Sequence, residues 1–226
     1  HSLAPLAIGS VLMVFVFAGG HVSGAHYNPA VTLGVFLRGR IESRPAAVYV
    51  IVQVVAGIIA AAISKAVTGV TPAPTIGTTF TDGGAVLMEM FYTFALVFVV
   101  LNVATEHSTD GNSYFGLAIG FTVTVGAWSI GGISGCAMNP AVGTGLYMSS
   151  ATSAGKLWVY WVGPMLGSVL AALVFRFTSG EEYAYKSATL QKVNTAMLKF
   201  APYVMEFIGT FFLVLTVALN VGYGLH

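Results

Sequence analysis

Two copies of one short motif carry the residues best suited to chemistry in this chain. The pattern Ser-Gly, three variable residues, then Asn-Pro-Ala-Val occurs at residues 23–31 and again at 134–142. Proline suits the first turn of a helix, where its missing N–H is not needed, and asparagine suits the capping position before it. Each copy therefore predicts a short helix that holds an asparagine amide at its positive end, which is a site for donating hydrogen bonds. The motif residues are Asn28, Pro29, Ala30, Asn139, Pro140 and Ala141.

The composition indicates the class of protein that contains these motifs. Hydrophobic residues make up 56% of the 226 positions and charged residues 8%, with a mean hydropathy of +0.84, whereas soluble domains carry roughly 25% charged residues. The sequence is that of a membrane protein with several spans. A net charge of +1 gives no electrostatic case for binding nucleic acid. The single cysteine predicts no internal disulfide and no cysteine metal site, and nothing predicts a cofactor or a catalytic triad.

Apolar runs predict the elements that hold the motifs. Six runs are long enough, or nearly so, to cross about 30 Å of hydrocarbon: 3–20, 46–66, 84–104, 114–131, 157–177 and 200–222. The motif segments 29–38 and 140–149 are too short to span, so we predict two half-helices that enter from opposite faces and meet near the midplane. Arginines at 38, 40 and 44 place the end of the first half-helix on the cytoplasmic-type side. No charged leader precedes the first run, so no signal peptide is expected.

Two carboxylates, Glu89 and Glu206, lie inside apolar spans in matching contexts, Met-Glu-Met-Phe and Met-Glu-Phe-Ile. Charges inside a membrane are costly and mark functional candidates. A proton relay is disfavoured, because no other ionisable residue in the spans would complete it.

The doubled motif and its setting resemble the aquaporins, or major intrinsic proteins, over nearly the whole chain apart from 178–199. The resemblance implies an all-α membrane protein with six transmembrane helices and two re-entrant half-helices in an inverted repeat. It also implies a passive water channel, not an enzyme, that forms a homotetramer with one pore per protomer. Family members carry a glutamate in the first helix of each half, where it supports the re-entrant loops. They often carry a histidine before the first motif asparagine. His26 is therefore a candidate for pore lining or loop support, together with Glu89 and Glu206.

The order of the elements departs from the family pattern. The helix that bears Glu206 comes last, although it corresponds to the first helix of the first half. Glu89 precedes Asn139 by 50 residues (139 − 89), and Glu206 precedes Asn28 by (226 − 206) + 28 = 48 if the chain ends are joined. We therefore predict one circularly permuted channel domain over 1–226. Its second to sixth helices fall in 1–177, a linker of joined tails in 178–199 and the first helix in 200–226.

Four positions correspond to the selectivity constriction of the family. Cys136 and Val142 follow from the second motif, three residues before and after its asparagine, whereas Ile8 and Ala127 depend on helix register. A slip of one residue would replace Ala127 by Trp128. Strict water channels have arginine where this chain has Val142, and valine there resembles the tonoplast class and some protozoan members.

The resemblance implies passage of water and small neutral solutes such as glycerol, urea or ammonia, with ions and protons excluded. Gly143 stands where glycerol facilitators have aspartate, which favours a water channel. A secondary carrier built on inverted repeats and a junction-type structural protein with a vestigial pore are the alternatives. The protein is expected to be integral to a membrane, with both vacuolar and plasma membranes compatible.

Overall fold

The computed structural model describes residues 3–70, 73–150, 154–179 and 201–222, and those residues form helices and connecting turns. Six long helices and two short ones confirm the predicted fold class. The long helices are α1 Ala4–Ser23, α3 Ser43–Thr68, α4 Asp82–Ala104, α5 Phe115–Ser134, α7 Val159–Thr178 and α8 Ala201–Gly222. The short ones are α2 Pro29–Leu37 and α6 Pro140–Ser149. By length and composition α1, α3, α4, α5 and α7 can each cross a membrane, and α8 holds the shorter apolar stretch Pro202–Ala218.

Two predicted C-terminal helix ends were wrong by three residues. The apolar runs were expected to stop at residues 20 and 131, but α1 and α5 continue to Ser23 and Ser134. Each helix stops where the next glycine adopts the left-handed conformation, with φ of 82° at Gly24 and 84° at Gly135. Glycine takes that conformation without steric cost, and its N–H then closes the last turn.

The helices form two similar halves of opposite orientation. In one half α4 packs against α5 and α7, and in the other α8 packs against α1 and α3. The half-helix α6 lies mainly against α3, and α2 lies mainly against α7, so each half-helix is held by the other half of the molecule. The helix α8 therefore occupies the same place relative to α1–α3 as α4 does relative to α5–α7, although α8 comes last in the sequence.

Contacts at the helix ends define the two faces. The rings of Tyr49 and Tyr203 lie 5.8 Å apart, so α3 and α8 both begin on the face that carries Arg38 and Arg40, here called the arginine-rich face. The opposite face holds the far end of α3, where the Lys65 ammonium donates to the carbonyl of Ser149 at 3.0 Å.

Some predicted features fall outside the described residues. Residues 180–199 of the predicted linker 178–199 are among them, as are His1 and His226. The permutation predicts that the two termini lie together, and this stays a prediction. The permuted order of the elements also stays a prediction.

Candidate pore

The two half-helices meet at their capping asparagines. Each asparagine Oδ1 accepts a hydrogen bond from its own helix, Asn28 from the N–H of Ala30 at 2.8 Å and Asn139 from the N–H of Ala141 at 2.9 Å. Each amide nitrogen donates across to the other loop, from Asn28 to the carbonyl of Met138 at 2.8 Å and from Asn139 to the carbonyl of Tyr27 at 2.9 Å. An amide nitrogen carries two hydrogens, so one N–H of each asparagine is fixed and the other is available to a solute.

The loops before the asparagines have an unusual backbone. Ala25, Tyr27, Cys136 and Met138 have φ between 48° and 52°, a left-handed region that residues other than glycine rarely adopt. The pattern alternates, three residues and one residue before each asparagine. Such a conformation persists only where the surroundings determine it, and the buried glutamates supply those surroundings.

Glu206 holds the first loop from α8. Its Oε1 accepts from the hydroxyl of Ser23 at 2.9 Å and the N–H of His26 at 2.8 Å. Its Oε2 accepts from the N–H of Tyr27 at 2.8 Å and the side-chain amide of Gln53 at 2.6 Å. The carboxylate is fully buried, so these four donors both fix the loop and replace the water that the charge has lost.

Glu89 holds the second loop from α4 in nearly the same way. Its Oε1 accepts from the Ser134 hydroxyl at 2.6 Å and the Ala137 N–H at 3.0 Å, and its Oε2 accepts from the Met138 N–H at 2.6 Å. No side-chain amide takes part here, so the two halves differ by one donor among the described residues.

In each half, one tyrosine hydroxyl fixes the carbonyl of the motif serine. The Tyr49 hydroxyl donates to the carbonyl of Ser23 at 2.9 Å, and the Tyr160 hydroxyl donates to the carbonyl of Ser134 at 2.6 Å. The last carbonyl of each loop is also bonded, since those of Tyr27 and Met138 accept from the two asparagines. A carbonyl has two lone pairs, so each of these four oxygens keeps one for a further donor.

An internal cavity of about 230 Å³ runs past both asparagines. Apart from the loop backbone, its wall is mostly aliphatic and is supplied by both halves, with Leu12, Val31, Leu96, Val100, Leu213 and Val217 among its residues. Neither Glu89 nor Glu206 belongs to its wall among the described residues. The site is thus a largely apolar tube with two asparagine amides near its middle.

All four residues predicted for the constriction line this cavity: Ile8, Ala127, Cys136 and Val142. Trp128, the alternative to Ala127, is 54% exposed on the outside of the bundle. Residues 73–75 also line this cavity, and the Tyr147 hydroxyl donates to the carbonyl of Pro74 at 3.1 Å.

His26 lies at the end of the cavity away from the four constriction residues. It also lines a second cavity of about 340 Å³ that opens toward the arginine-rich face, beside Arg40 and Asp110. This second cavity is here called the vestibule. His107 contacts two of its lining residues, Arg40 at 3.4 Å and Asp110 at 3.0 Å. His26 therefore separates the tube from its vestibule.

Sequence reasoning missed several residues of the site, namely Ser23, Ser134, Thr32, Tyr49 and Gln53. The serines open both copies of the motif, which was a visible signal for a shared role. Gln53 is the one amide within the apolar run 46–66, and a polar group in such a run needs a partner.

Comparison with known proteins agrees with this geometry. Residues 2–175 match the family model described as major intrinsic protein. The chain belongs to the major intrinsic protein family. Similar relatives include "Probable aquaporin NIP-type" of Nicotiana alata, 36% identical over 169 residues, which are 74% of this chain and 62% of the relative. "Aquaporin TIP1-2" of Musa acuminata is 38% identical over 175 residues, 76% of this chain and 69% of the relative.

Membership of the family confirms the resemblance drawn from the two motifs and the assignment of an integral, multi-pass membrane protein. "Aquaporin NIP1-3" of Oryza sativa subsp. japonica is 40% identical over 177 residues, 75% of this chain and 60% of the relative. The chain spans about three fifths of the length of several of these relatives. The family match ends at residue 175, so α8 lies beyond it.

Proposed function

We propose that this protein is a passive channel, not an enzyme, that conducts water and small neutral solutes and excludes ions and protons. The observation that carries the proposal is the pair of opposed half-helices whose capping asparagines, Asn28 and Asn139, line one apolar cavity. Water in a narrow apolar tube loses most of its hydrogen-bond partners, and the free asparagine N–H groups and loop carbonyls replace them at defined points.

Exclusion of ions follows from the electrostatics at the same place. The N-termini of α2 and α6 each carry roughly half a positive elementary charge, and both face the cavity. The two buried carboxylates bind the loops and do not line the cavity, so a cation in the lumen has no carboxylate to bind directly among the described residues. A cation would have to lose its hydration shell without such a ligand, and a water that accepts from both asparagines would point its own hydrogens away from the centre, which interrupts proton transfer.

A channel is favoured over a carrier because of what the carboxylates do. Coupled carriers bind ions or substrates at unwound backbone with charged partners at the midplane. In the part of the chain described, Glu89 and Glu206 are the intramembrane carboxylates, and each bonds backbone N–H groups and a serine. By the family resemblance we also propose a homotetramer in which every protomer has its own pore.

Osmotic swelling of proteoliposomes tests this function. We expect water flux to rise linearly with the osmotic gradient, without saturation and with a low activation energy, since no conformational step is needed. Flux that saturates or depends on a sodium or proton gradient would identify a carrier. Vesicles that swell no faster than protein-free controls would identify a structural protein with a closed pore.

Block by mercurials tests the position of Cys136. The thiol lines the cavity near Val142, and it is the single cysteine of the chain, so a mercurial that enters the pore has one thiol to bind. We expect loss of most of the water flux, and recovery when a reducing thiol is added. The control is Cys136→Ser, which should conduct water and resist the reagent. Equal inhibition of that variant would place the sensitive group elsewhere.

A further inference from the structure

A chain of buried polar side chains connects Glu206 to His26 in the first half of the molecule. Gln53 donates from Nε2 to Glu206 at 2.6 Å and to the Thr32 hydroxyl at 3.0 Å. The Thr32 hydroxyl in turn lies 3.2 Å from Nδ1 of the His26 ring. All four side chains are at least nine-tenths buried, so each of their polar hydrogens needs an acceptor.

The direction of each hydrogen bond among these four side chains follows from counting their hydrogens and lone pairs. Glu206 accepts four bonds, two at each oxygen, which occupies the lone pairs of a carboxylate. Gln53 therefore turns its NH₂ group toward Glu206, and its second hydrogen goes to Thr32. Thr32 has one hydrogen, which it donates to the carbonyl of Asn28 at 3.0 Å, a shorter contact than the one to His26. Since Thr32 gives its only hydrogen to Asn28, the hydrogen between Thr32 and His26 belongs to the histidine.

The opposite edge of the His26 ring faces open space. Within residues 3–70, 73–150, 154–179 and 201–222, no protein group hydrogen-bonds Nε2 of His26, and the ring lines both the tube and the vestibule. Gly24 lies beside this edge, and a Cβ on that residue would be 3.3 Å from Nε2. The Tyr49 ring meets the imidazole edge to face at 5.2 Å, so the ring plane is held from a second direction.

Among the described residues, the second half of the molecule has no such chain. Adding 111, the spacing of the two asparagines (139 − 28), to 26, 32 and 53 gives Ala137, Gly143 and Pro164. Tyr49 and Glu206 do have counterparts, in Tyr160 and Glu89, so loop support is shared while the histidine chain is confined to one mouth. Loop support alone therefore does not explain Thr32 and Gln53.

We propose that Gln53 and Thr32 are positioning residues that hold neutral His26 with its hydrogen on Nδ1, so that Nε2 is a hydrogen-bond acceptor for solutes at the arginine-rich end of the pore. A solute that donates hydrogens, such as water, urea or ammonia, gains a partner where the tube meets the vestibule. Each such solute crosses from the asparagine donors at the centre to an acceptor at this mouth. The role of Nε2 toward solutes depends on the proposed channel function, whereas the position of the hydrogen does not.

Nitrogen and carbon NMR of the histidine-labelled full chain in bilayers tests the hydrogen position directly, because the two neutral imidazole tautomers give different ring shifts. His26→Gln identifies the His26 signals among the five histidines. We expect the Nδ1–H form in the parent. Thr32→Val removes the acceptor at similar size, and we expect the ratio of Nδ1–H to Nε2–H to fall about fivefold, the effect of one net hydrogen bond. Thr32→Ser should restore it.

Thr144→Val is the matched control. Thr144 lies on the other half-helix and donates to the carbonyl of Pro140 four residues earlier at 2.7 Å, just as Thr32 does to Asn28, but its described partners include no histidine. That variant should leave the His26 signals unchanged. An Nε2–H form in the parent, or equal His26 spectra for the parent and Thr32→Val, would overturn the proposal. Water flux measured on the same samples separates the channel function from the position of the hydrogen on His26. Absence of flux would refute the channel and leave the tautomer result unaffected.

Discussion

Replacing Glu206 by leucine should leave little folded protein. The carboxylate is the acceptor for the Ser23 hydroxyl, the N–H groups of His26 and Tyr27, and the amide of Gln53. Leucine fills similar space but accepts nothing, so four buried donors lose their partner at once. Each unsatisfied donor costs about 1–3 kcal/mol, and four such costs approach the whole stability of a typical domain, about 5–15 kcal/mol.

Thermal unfolding in detergent, followed by size exclusion and circular dichroism, measures the effect. Glu89→Leu leaves three donors without a partner instead of four, so it should be severe but less so. Glu206→Gln keeps one carbonyl oxygen and should fall between leucine and the parent. Val204→Leu, an exposed position of the same helix, is the control for substitution in α8. Equal melting temperatures for Glu206→Leu and the control would show that the first loop is held by other contacts.

The elements of the fold could be predicted from sequence because their signals are local. Asn28-Pro29 and Asn139-Pro140 predicted where the half-helices begin, and the structure caps both helices with those asparagines. Counting along helices from the same motifs predicted Ile8 and Ala127 for the constriction, and both line the internal cavity. The ends of α1 and α5 were placed three residues too early, because each helix continues until a left-handed glycine, Gly24 or Gly135, ends it.

The contacts that shape the site could not be predicted in the same way. Asn28 bonds the loop of the other half, 110 residues away at Met138, and Asn139 bonds Tyr27 at a separation of 112. No local pattern states which carbonyl a capping asparagine will reach. The partners of Glu206 come from α1, α3 and the first loop, which lie between 153 and 183 residues away from it in sequence. The repeated serines, the matching contexts of the two glutamates and the single amide Gln53 in an apolar run were the local signals of this arrangement.

The second large effect concerns Val142→Arg, which should cut glycerol permeation more than water permeation. Val142 lines the cavity beside Cys136, with Ile8 and Ala127 also in its wall, so the ring around a passing solute is mostly aliphatic and one member is only a methyl group. Such a ring lets a small neutral molecule pass with little steric cost. An arginine in this ring would fill space and add fixed donors and a positive charge. Water fits beside a guanidinium and bonds to it, whereas glycerol needs the space that the side chain takes.

We expect glycerol flux in proteoliposomes to fall at least about tenfold, which corresponds to about 1.4 kcal/mol at the barrier, while water flux falls by less. Val142→Met separates the causes, because it adds length without charge or donors. If size alone decides, methionine and arginine should reduce glycerol flux equally, and if the donors and charge contribute, arginine should reduce it more. Ion and proton exclusion should persist in all three proteins, since Asn28, Asn139 and both half-helix dipoles are unchanged. A parent that already excludes glycerol and urea would show that the aliphatic ring is narrower to solutes than its residues imply, and the protein would then be a channel for water alone.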